Sequence, residues 1–337
     1  MRYGIWTPLP HTVRSDAAME DAVSDLRTPG AGGDVDKSFR IAVDVVRRAE
    51  ALGFETTLIA ERHLGPDLEA WMLTSALIAH TRRIELMCAV HPGIVPPQLA
   101  AKMGASLDRI SGGRFAVNVV NGWYEEEFDV FGNGGWLDQS DARYRRMGEF
   151  VDVMKGLWTE ETFSLEGEFY RCESGRLPIR PVQLPNPPIY AASRSEAGRE
   201  VVARACDAWF VAYDPGYANA DANLANFARD IEELDRRAAE CGRSLSYGIS
   251  AHVICTESAG EAEERVRELE EYGGRDPVSA VAAKGLGAGL VGTPRQIADR
   301  LRYLESIGID CPLVHFYPMM EGLETFAARV MPLVDGG

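Results

Sequence analysis

Three groups of residues in this chain carry side chains suited to chemistry as well as to packing. The first is a set of histidines, His63, His91 and His252, each close behind a short apolar run, with Tyr317 behind the last such run. Imidazole titrates near neutral pH, so a histidine at the end of a buried strand can give or take a proton. Each histidine alone would serve equally as a hydrogen-bonded residue of the core wall. The second group is Ser193-Arg194-Ser195, at a predicted strand-to-helix turn. Free N–H groups at a helix start, two hydroxyls and a guanidinium suit an anion such as a phosphate. An ordinary serine cap beside a surface arginine fits the same three residues. The third group is Leu107–Gly132, LDRISGGRFAVNVVNGWYEEEFDVFG, where amides, aromatics and carboxylates gather behind one apolar run.

Within that third stretch, Leu107 and Ile110 end a helix that Gly112–Gly113 stop, and RFAVNVV reads as a strand buried on both faces. NGWYEEEF then reads as a loop at the strand's C-terminal end. Glu125, Glu126 and Glu127 have no histidine at helical spacing beside them, so they do not make a metal site, and no metal is expected. Glu127, beside Phe128, is placed to turn inward as a hydrogen-bond acceptor. Trp123 and Tyr124 fit either rim packing or a binding wall.

These residues need a scaffold that brings strand ends together. Apolar runs starting at Tyr3, Phe54, Ile84, Arg114, Ile189, Ala208, Ser246 and Cys311 read as strands, each followed by a helix. That alternation predicts an α/β fold, a (β/α)8 TIM barrel with insertions at the C-terminal face, spanning 1–337 as a single domain. A doubly wound sheet would want a glycine fingerprint after an early strand, and none is present. Strand C-termini would then converge at one mouth, carrying Trp6, Glu61-Arg62-His63, His91, Asn118 and Asn121, Ser193-Arg194-Ser195, Tyr213, His252 and Tyr317. Glu161–Cys172 alternates and suggests a hairpin outside the main repeat, with Gly167 in its turn. Pro8–Val35 shows little periodicity, and Asp276–Gly292 is rich in Ala and Gly. Both read as loops, the second mobile.

The totals bound the function class. The 337 residues are 46% hydrophobic with net charge −16, enough for a large core and unsuited to nucleic acid or an anionic membrane. No window is apolar enough for a transmembrane helix, and MRYGIWTPLP reads as a first strand rather than a signal peptide. The six cysteines, Cys88, Cys172, Cys206, Cys241, Cys255 and Cys311, show no C-x-x-C and read as reduced residues of a cytoplasmic protein.

The segments LIAERH, LDRISGGRFAVNVVNGWYEEEFDVFG, ARYRR, YAASRSEAG and LVGTPRQIADRL together resemble the bacterial luciferase-like flavin monooxygenases, over nearly the whole chain. The NVVNGWYEEEF loop and the closing HFYPMMEGLETFAARVMPLV most resemble the dimethyl sulfone, alkanesulfonate and pyrimidine monooxygenase branch. The resemblance implies a (β/α)8 barrel that uses reduced FMN and O2. By position, Asn118 and Glu127 would hydrogen-bond the flavin, and Ala60 and Glu61 would line its ring. Arg143 and Tyr144 would contact the flavin and its tail, and Ser193, Arg194 and Ser195 the phosphate. Asn121 stands where relatives often have Thr or Arg.

Departures from the pattern bear on substrate. Ser250 stands where the alkanesulfonate branch has Arg two residues before its His, here His252. The segment Ala282–Gly289 offers only Lys284 where that branch has an Arg-bearing loop. Recognition of a sulfonate favours fixed guanidiniums, so a simple alkanesulfonate is disfavoured. Arg62 replaces the His of luciferases, which argues against a long-chain aldehyde.

The expected activity is a two-component monooxygenase inserting one oxygen atom from O2 into a small organosulfur or cyclic amide substrate. An NAD(P)H:flavin reductase would supply FMNH2, and a homodimer or homotetramer is expected. His252 and His63 would transfer protons, His91 and Tyr317 would position substrate or a flavin oxygen, and Pro8–Val35 and Ala282–Gly289 would close over the site. Two rivals share the barrel: a deazaflavin-dependent hydride-transfer oxidoreductase and a flavin-binding protein without catalysis.

Overall fold

The computed structural model describes residues 1–12, 17–28, 35–122, 124–132, 135–273 and 283–336. Trp123 and residues 13–16, 29–34 and 274–282, on which expectations above fall, lie outside the described residues. The strands in chain order are β1 (Gly4–Trp6), β2 (Thr56–Ile59), β3 (Glu85–Val90), β4 (Phe115–Val119), β5 (Phe163–Glu166), β6 (Arg171–Gly175), β7 (Ile189–Ala192), β8 (Ala208–Phe210), β9 (Ser246–His252), β10 (Ile254–Cys255), β11 (Val291–Gly292) and β12 (Ile309–His315). Eight of them close a barrel in the order β1-β12-β9-β8-β7-β4-β3-β2. These are the eight strands expected from the sequence. Every residue of β2 and β4 is buried, as a parallel strand covered on both faces requires.

The helices between them carry their start and stop signals in sequence. Asp36 caps Lys37–Ala51 by accepting the Phe39 N–H at 2.9 Å. Pro97 opens Pro97–Ser111, and Gly112, at φ 71°, ends it. Thr293 and Gln296 form a reciprocal capping box at Pro294–Ser306. The hairpin β5–β6 is antiparallel as expected, and Glu149 accepts the Phe169 and Tyr170 N–H groups at its turn.

The chain divides into two compact units. One comprises Met1–Leu68, Val211–Glu232 and Tyr247–Gly337, and the other Glu69–Phe210 and Glu233–Ser246. We refer to them as the terminal and the central unit.

Three expectations need correction. Pro8–Val35 is not a plain loop, because Ala17–Arg27 is a helix. Its Met19 and Ala22 are buried and pack against Ile41 of the next helix, a contact that the segment's polar composition conceals. The NGWYEEEF loop ends early, and Glu125–Phe131 is a helix. Three glutamates in its first turn complement the helix dipole. The described part of the candidate mobile loop is anchored. Leu286 and Ala288 are fully buried, Asn223 donates to the Gly287 carbonyl at 2.9 Å, and β10 pairs with β11.

Candidate active site

In the terminal unit, strand register creates the densest polar group. His252 ends β9 and His315 ends β12, and the two are register partners in adjacent parallel strands. Side chains at matched positions of neighbouring strands stand on the same face. The two Nδ1 atoms lie 3.2 Å apart, and the rings are tilted 55° with centroids 5.3 Å apart. Both residues are buried, at 2% and 8% exposure. One Nδ1–H must therefore donate while the other Nδ1 accepts. Burial brings His315 down to about 4, with nearby His11 adding a smaller lowering. Burial also holds His252 well below its usual value, and His315 adds to that. Both rings are neutral at physiological pH.

The surrounding groups are tied in. Trp6 stands edge-on to His315, and its Nε1–H donates to Ser250 Oγ at 3.0 Å. The Tyr213 hydroxyl donates to the Ser250 carbonyl. His11 is bound to Asp67 twice, through its backbone N–H at 3.0 Å and its Nδ1 at 2.9 Å. Ala60 and Glu61 follow β2, and the Glu61 carboxylate lies 3.9 Å from His63 Nδ1. Burial lowers His63 to about 4. Neither β9 nor β12 contributes a Lys or Arg.

Tyr317 sits two residues beyond β12 and is 47% exposed, whereas His315 occupies the buried end of that strand. Sequence reasoning missed His315. Its only local signal is one imidazole within the apolar run CPLVHF, and its meaning comes from register with His252.

The central unit is built for charge. Ser195 caps the helix Glu196–Ala205, its Oγ accepting the Gly198 N–H at 3.1 Å. Ser193 is buried, its carbonyl accepts the Trp209 Nε1–H at 3.3 Å, and its Oγ accepts the Ser195 N–H at 3.2 Å. A Cβ added at Gly198 would lie 1.8 Å from Ser193 Oγ and 2.5 Å from Tyr144 Cε1. Tyr144, Ser193 and Ser195 therefore converge on one helix start with oriented N–H groups, the geometry of an anion cradle. Arg194 is exposed.

Asn118, in β4, is 8% exposed, and its Oδ1 is buried without a hydrogen-bond partner among the described residues. Both side-chain polar atoms of Asn121 are buried in the same condition. Buried polar atoms in this state are uncommon in folded proteins, and a bound group would satisfy them. Glu127 is 1% exposed, so it faces inward as expected, while Glu125 and Glu126 face solvent. His91, at the end of β3, is also buried. The Phe128 ring presses on Gly122, where φ is 75° and an added Cβ would lie 2.5 Å from the ring.

The two arginines of this unit differ. Arg143 stacks over Trp136 at 4.4 Å and donates to the Leu137 and Asp138 carbonyls, so it is occupied in ordering that loop. Arg146, also missed in sequence, is 3% exposed. It donates from Nη1 to the Gly135 carbonyl at 2.8 Å and lies over Phe128 at 5.3 Å. Its Nε and Nη2 are buried with no hydrogen-bond partner among the described residues. The last Arg of ARYRR, on the same helix face as the buried Phe150, was the available signal.

Among the described residues no group of three or more His, Cys, Asp and Glu could hold a metal ion, and no helix is long and apolar enough to cross a membrane.

Comparison with known proteins gives the family and the fold. The family model described as luciferase-like monooxygenase matches residues 1–311. The FMNH(2)-dependent dimethylsulfone monooxygenase of Pseudomonas putida is 32% identical over 334 residues, covering 89% of this chain and 88% of that protein. The protein of the same name from Pseudomonas fluorescens (strain Pf0-1) is 31% identical over 319 residues, covering 85% and 84%. Among solved structures, the EDTA monooxygenase from Chelativorans sp. BNC1 superposes with a TM-score of 0.73 at 17% identity, covering 100% of this chain and 93% of its own.

Proposed function

The chain belongs to the luciferase-like monooxygenase family, and from that premise we propose that it is an FMNH2-dependent monooxygenase acting on a small neutral substrate of the sulfone class. The observation that carries the substrate class is the wall formed by β9 and β12: two neutral histidines, a serine already engaged by Trp6, and no fixed cation. A sulfone offers uncharged hydrogen-bond acceptors, which suit N–H donors held neutral by burial. A sulfonate would be desolvated there without a partner charge.

The residues fit the flavin. The phosphate would lie on the cradle of Tyr144, Ser193 and Ser195, where N–H groups and hydroxyls can replace its water. Asn118 and Asn121 would hydrogen-bond the ring system with atoms otherwise unsatisfied. Glu127 is a buried acceptor for a ring N–H group. When bound, reduced FMN supplies the electrons that activate O2 for transfer of one oxygen atom to the substrate. The chain's part is to bind, to orient and to exclude water, with His252 giving or taking a proton at Nε2 and His63 and His91 lining the approach. A separate NAD(P)H:flavin reductase would supply the reduced flavin.

The test is aerobic turnover with FMN, NADH and a flavin reductase, offering dimethyl sulfone, an alkanesulfonate and a cyclic amide in parallel. Oxygen consumption that depends on the sulfone is expected. Failure of the protein to bind FMNH2 at micromolar concentration overturns the proposal. Tight deazaflavin binding with oxygen-independent turnover would favour the hydride-transfer rival.

A further inference from the structure

The His252–His315 contact constrains more than the position of two rings. At 3.2 Å the Nδ1 atoms are within hydrogen-bond range, so one of them carries the hydrogen and the other is bare. In two neutral rings this makes the Nε2 atoms opposite in kind. The ring that donates through Nδ1 has a bare Nε2, and the ring that accepts carries Nε2–H. His315 Nε2 is buried without a hydrogen-bond partner among the described residues. An unsatisfied buried polar atom is costly, which marks it as a group awaiting a ligand or a proton. The titratable groups acting on the pair are His11, held by Asp67, which acts on His315, and His315, which acts on His252.

Resting on the monooxygenase reading, we propose that His315 is the relay partner of His252 in a tautomer-coupled pair, which hands a proton from one Nε2 to the other with no net charge on either ring before or after. A proton arrives at the bare Nε2 of the donor ring. The Nδ1–H of that ring crosses to the Nδ1 of its neighbour, and the neighbour's Nε2–H leaves. Only N–H bonds form and break, one in and one out, and the two tautomers have exchanged. The reverse transfer resets the pair. A site that excludes stable imidazolium thereby still moves a proton, which a single buried histidine could do only by becoming charged.

The chain has six histidines, so selective 15N-histidine labelling gives a readable spectrum. Long-range 1H–15N correlation on the flavin-free wild type should show His252 and His315 in opposite tautomers, with coupling across the Nδ1–Nδ1 hydrogen bond, both unchanged from pH 8 to pH 5. In His315→Phe, His252 should lose the coupling and its fixed tautomer. Turnover should fall about 100-fold in kcat, the scale of a lost proton-transfer group, with the solvent isotope effect altered and FMNH2 affinity within twofold of wild type. Identical tautomers in the wild type, or either ring titrating in the ordinary histidine range, would overturn the pair while FMNH2 binding stands. If the spectrum matches but the wild type binds no FMNH2, the relay's catalytic role falls together with the monooxygenase reading. His315→Phe retaining full kcat would likewise remove that role.

Discussion

Arg146 and the pair His252–His315 are all buried, yet the two units treat burial in opposite ways. In the central unit Arg146 keeps its charge at 3% exposure, with one carbonyl acceptor, one aromatic face and two nitrogens left over. A guanidinium cannot shed its proton in this range, so burial leaves an incompletely satisfied cation. In the terminal unit the same desolvation falls on imidazoles, which respond by becoming neutral and bonding to each other. One unit holds unused donors and positive potential; the other has removed its charge. On the proposed reading, the first suits an anion-bearing cofactor and the second an uncharged substrate. It also explains why Ser193–Ser195 and Ser250, both hydroxyl sites, are used differently. Ser193 and Ser195 sit at a helix start, and Ser250 is already taken by Trp6.

The contrast can be broken at either end. The largest effect is expected at the cradle. Gly198→Val would drive a side chain into Ser193 and Tyr144, and FMN affinity should fall at least ~100-fold, about 2.7 kcal/mol. Fluorescence titration measures it, with circular dichroism confirming the fold. Next, Arg146→Met keeps the volume and removes the cation. Flavin affinity should fall about 30-fold, while the flavin-free protein in urea should be as stable as wild type or more so, because a poorly satisfied buried charge has gone. A flavin-free protein weakened by more than about 1 kcal/mol would mean that Arg146 is a structural brace.

On the neutral side, Ser250→Arg should make the wall cationic, raising affinity for an alkanesulfonate about tenfold and lowering kcat/KM for the sulfone by a similar factor. Equal response of both substrates would sever the link between this wall and specificity.

Acid stability gives a smaller effect. His315 is lowered to about 4 in the fold against a usual 6.5, so between those values the unfolded chain binds the extra proton and the native one does not. Stability contributed by the neutral ring is present above about 6.5 and is lost progressively as pH falls toward 4. His315→Asn should therefore flatten the wild-type loss between pH 6 and pH 5 by about 1 kcal/mol. Urea melts at the two pH values report it.

The barrel was legible because each strand is a short apolar run closed by glycine, proline or a polar turn, and each helix announces its ends, as Thr293-Pro294 and Gly112 do. The helix start and serine cap at Ser195 were legible for the same reason, since both are local in sequence. His315 was not, because its partner is 63 positions away and only the β9–β12 register joins them. Arg146 was hidden by charge. A long polar side chain on an exposed-looking helix gives no sign that Phe128 and the Gly135 carbonyl will enclose it. The helix Ala17–Arg27 was lost in a segment whose apolar residues are few, and packing on Ile41 decided its state.

The cysteines add a consequence of another kind. Cys88 and Cys206 in the central unit are 0% exposed, Cys311 in β12 of the terminal unit is 3% exposed, and Cys241 is open to solvent. Burial also pushes the Cys206 thiol up to about 12, which leaves almost no reactive thiolate in the fold. A thiol reagent with mass readout is then a built-in stopwatch: Cys241 marks zero time, and the later labelling of Cys206 and Cys311 records how often each unit opens, without a probe being introduced into either.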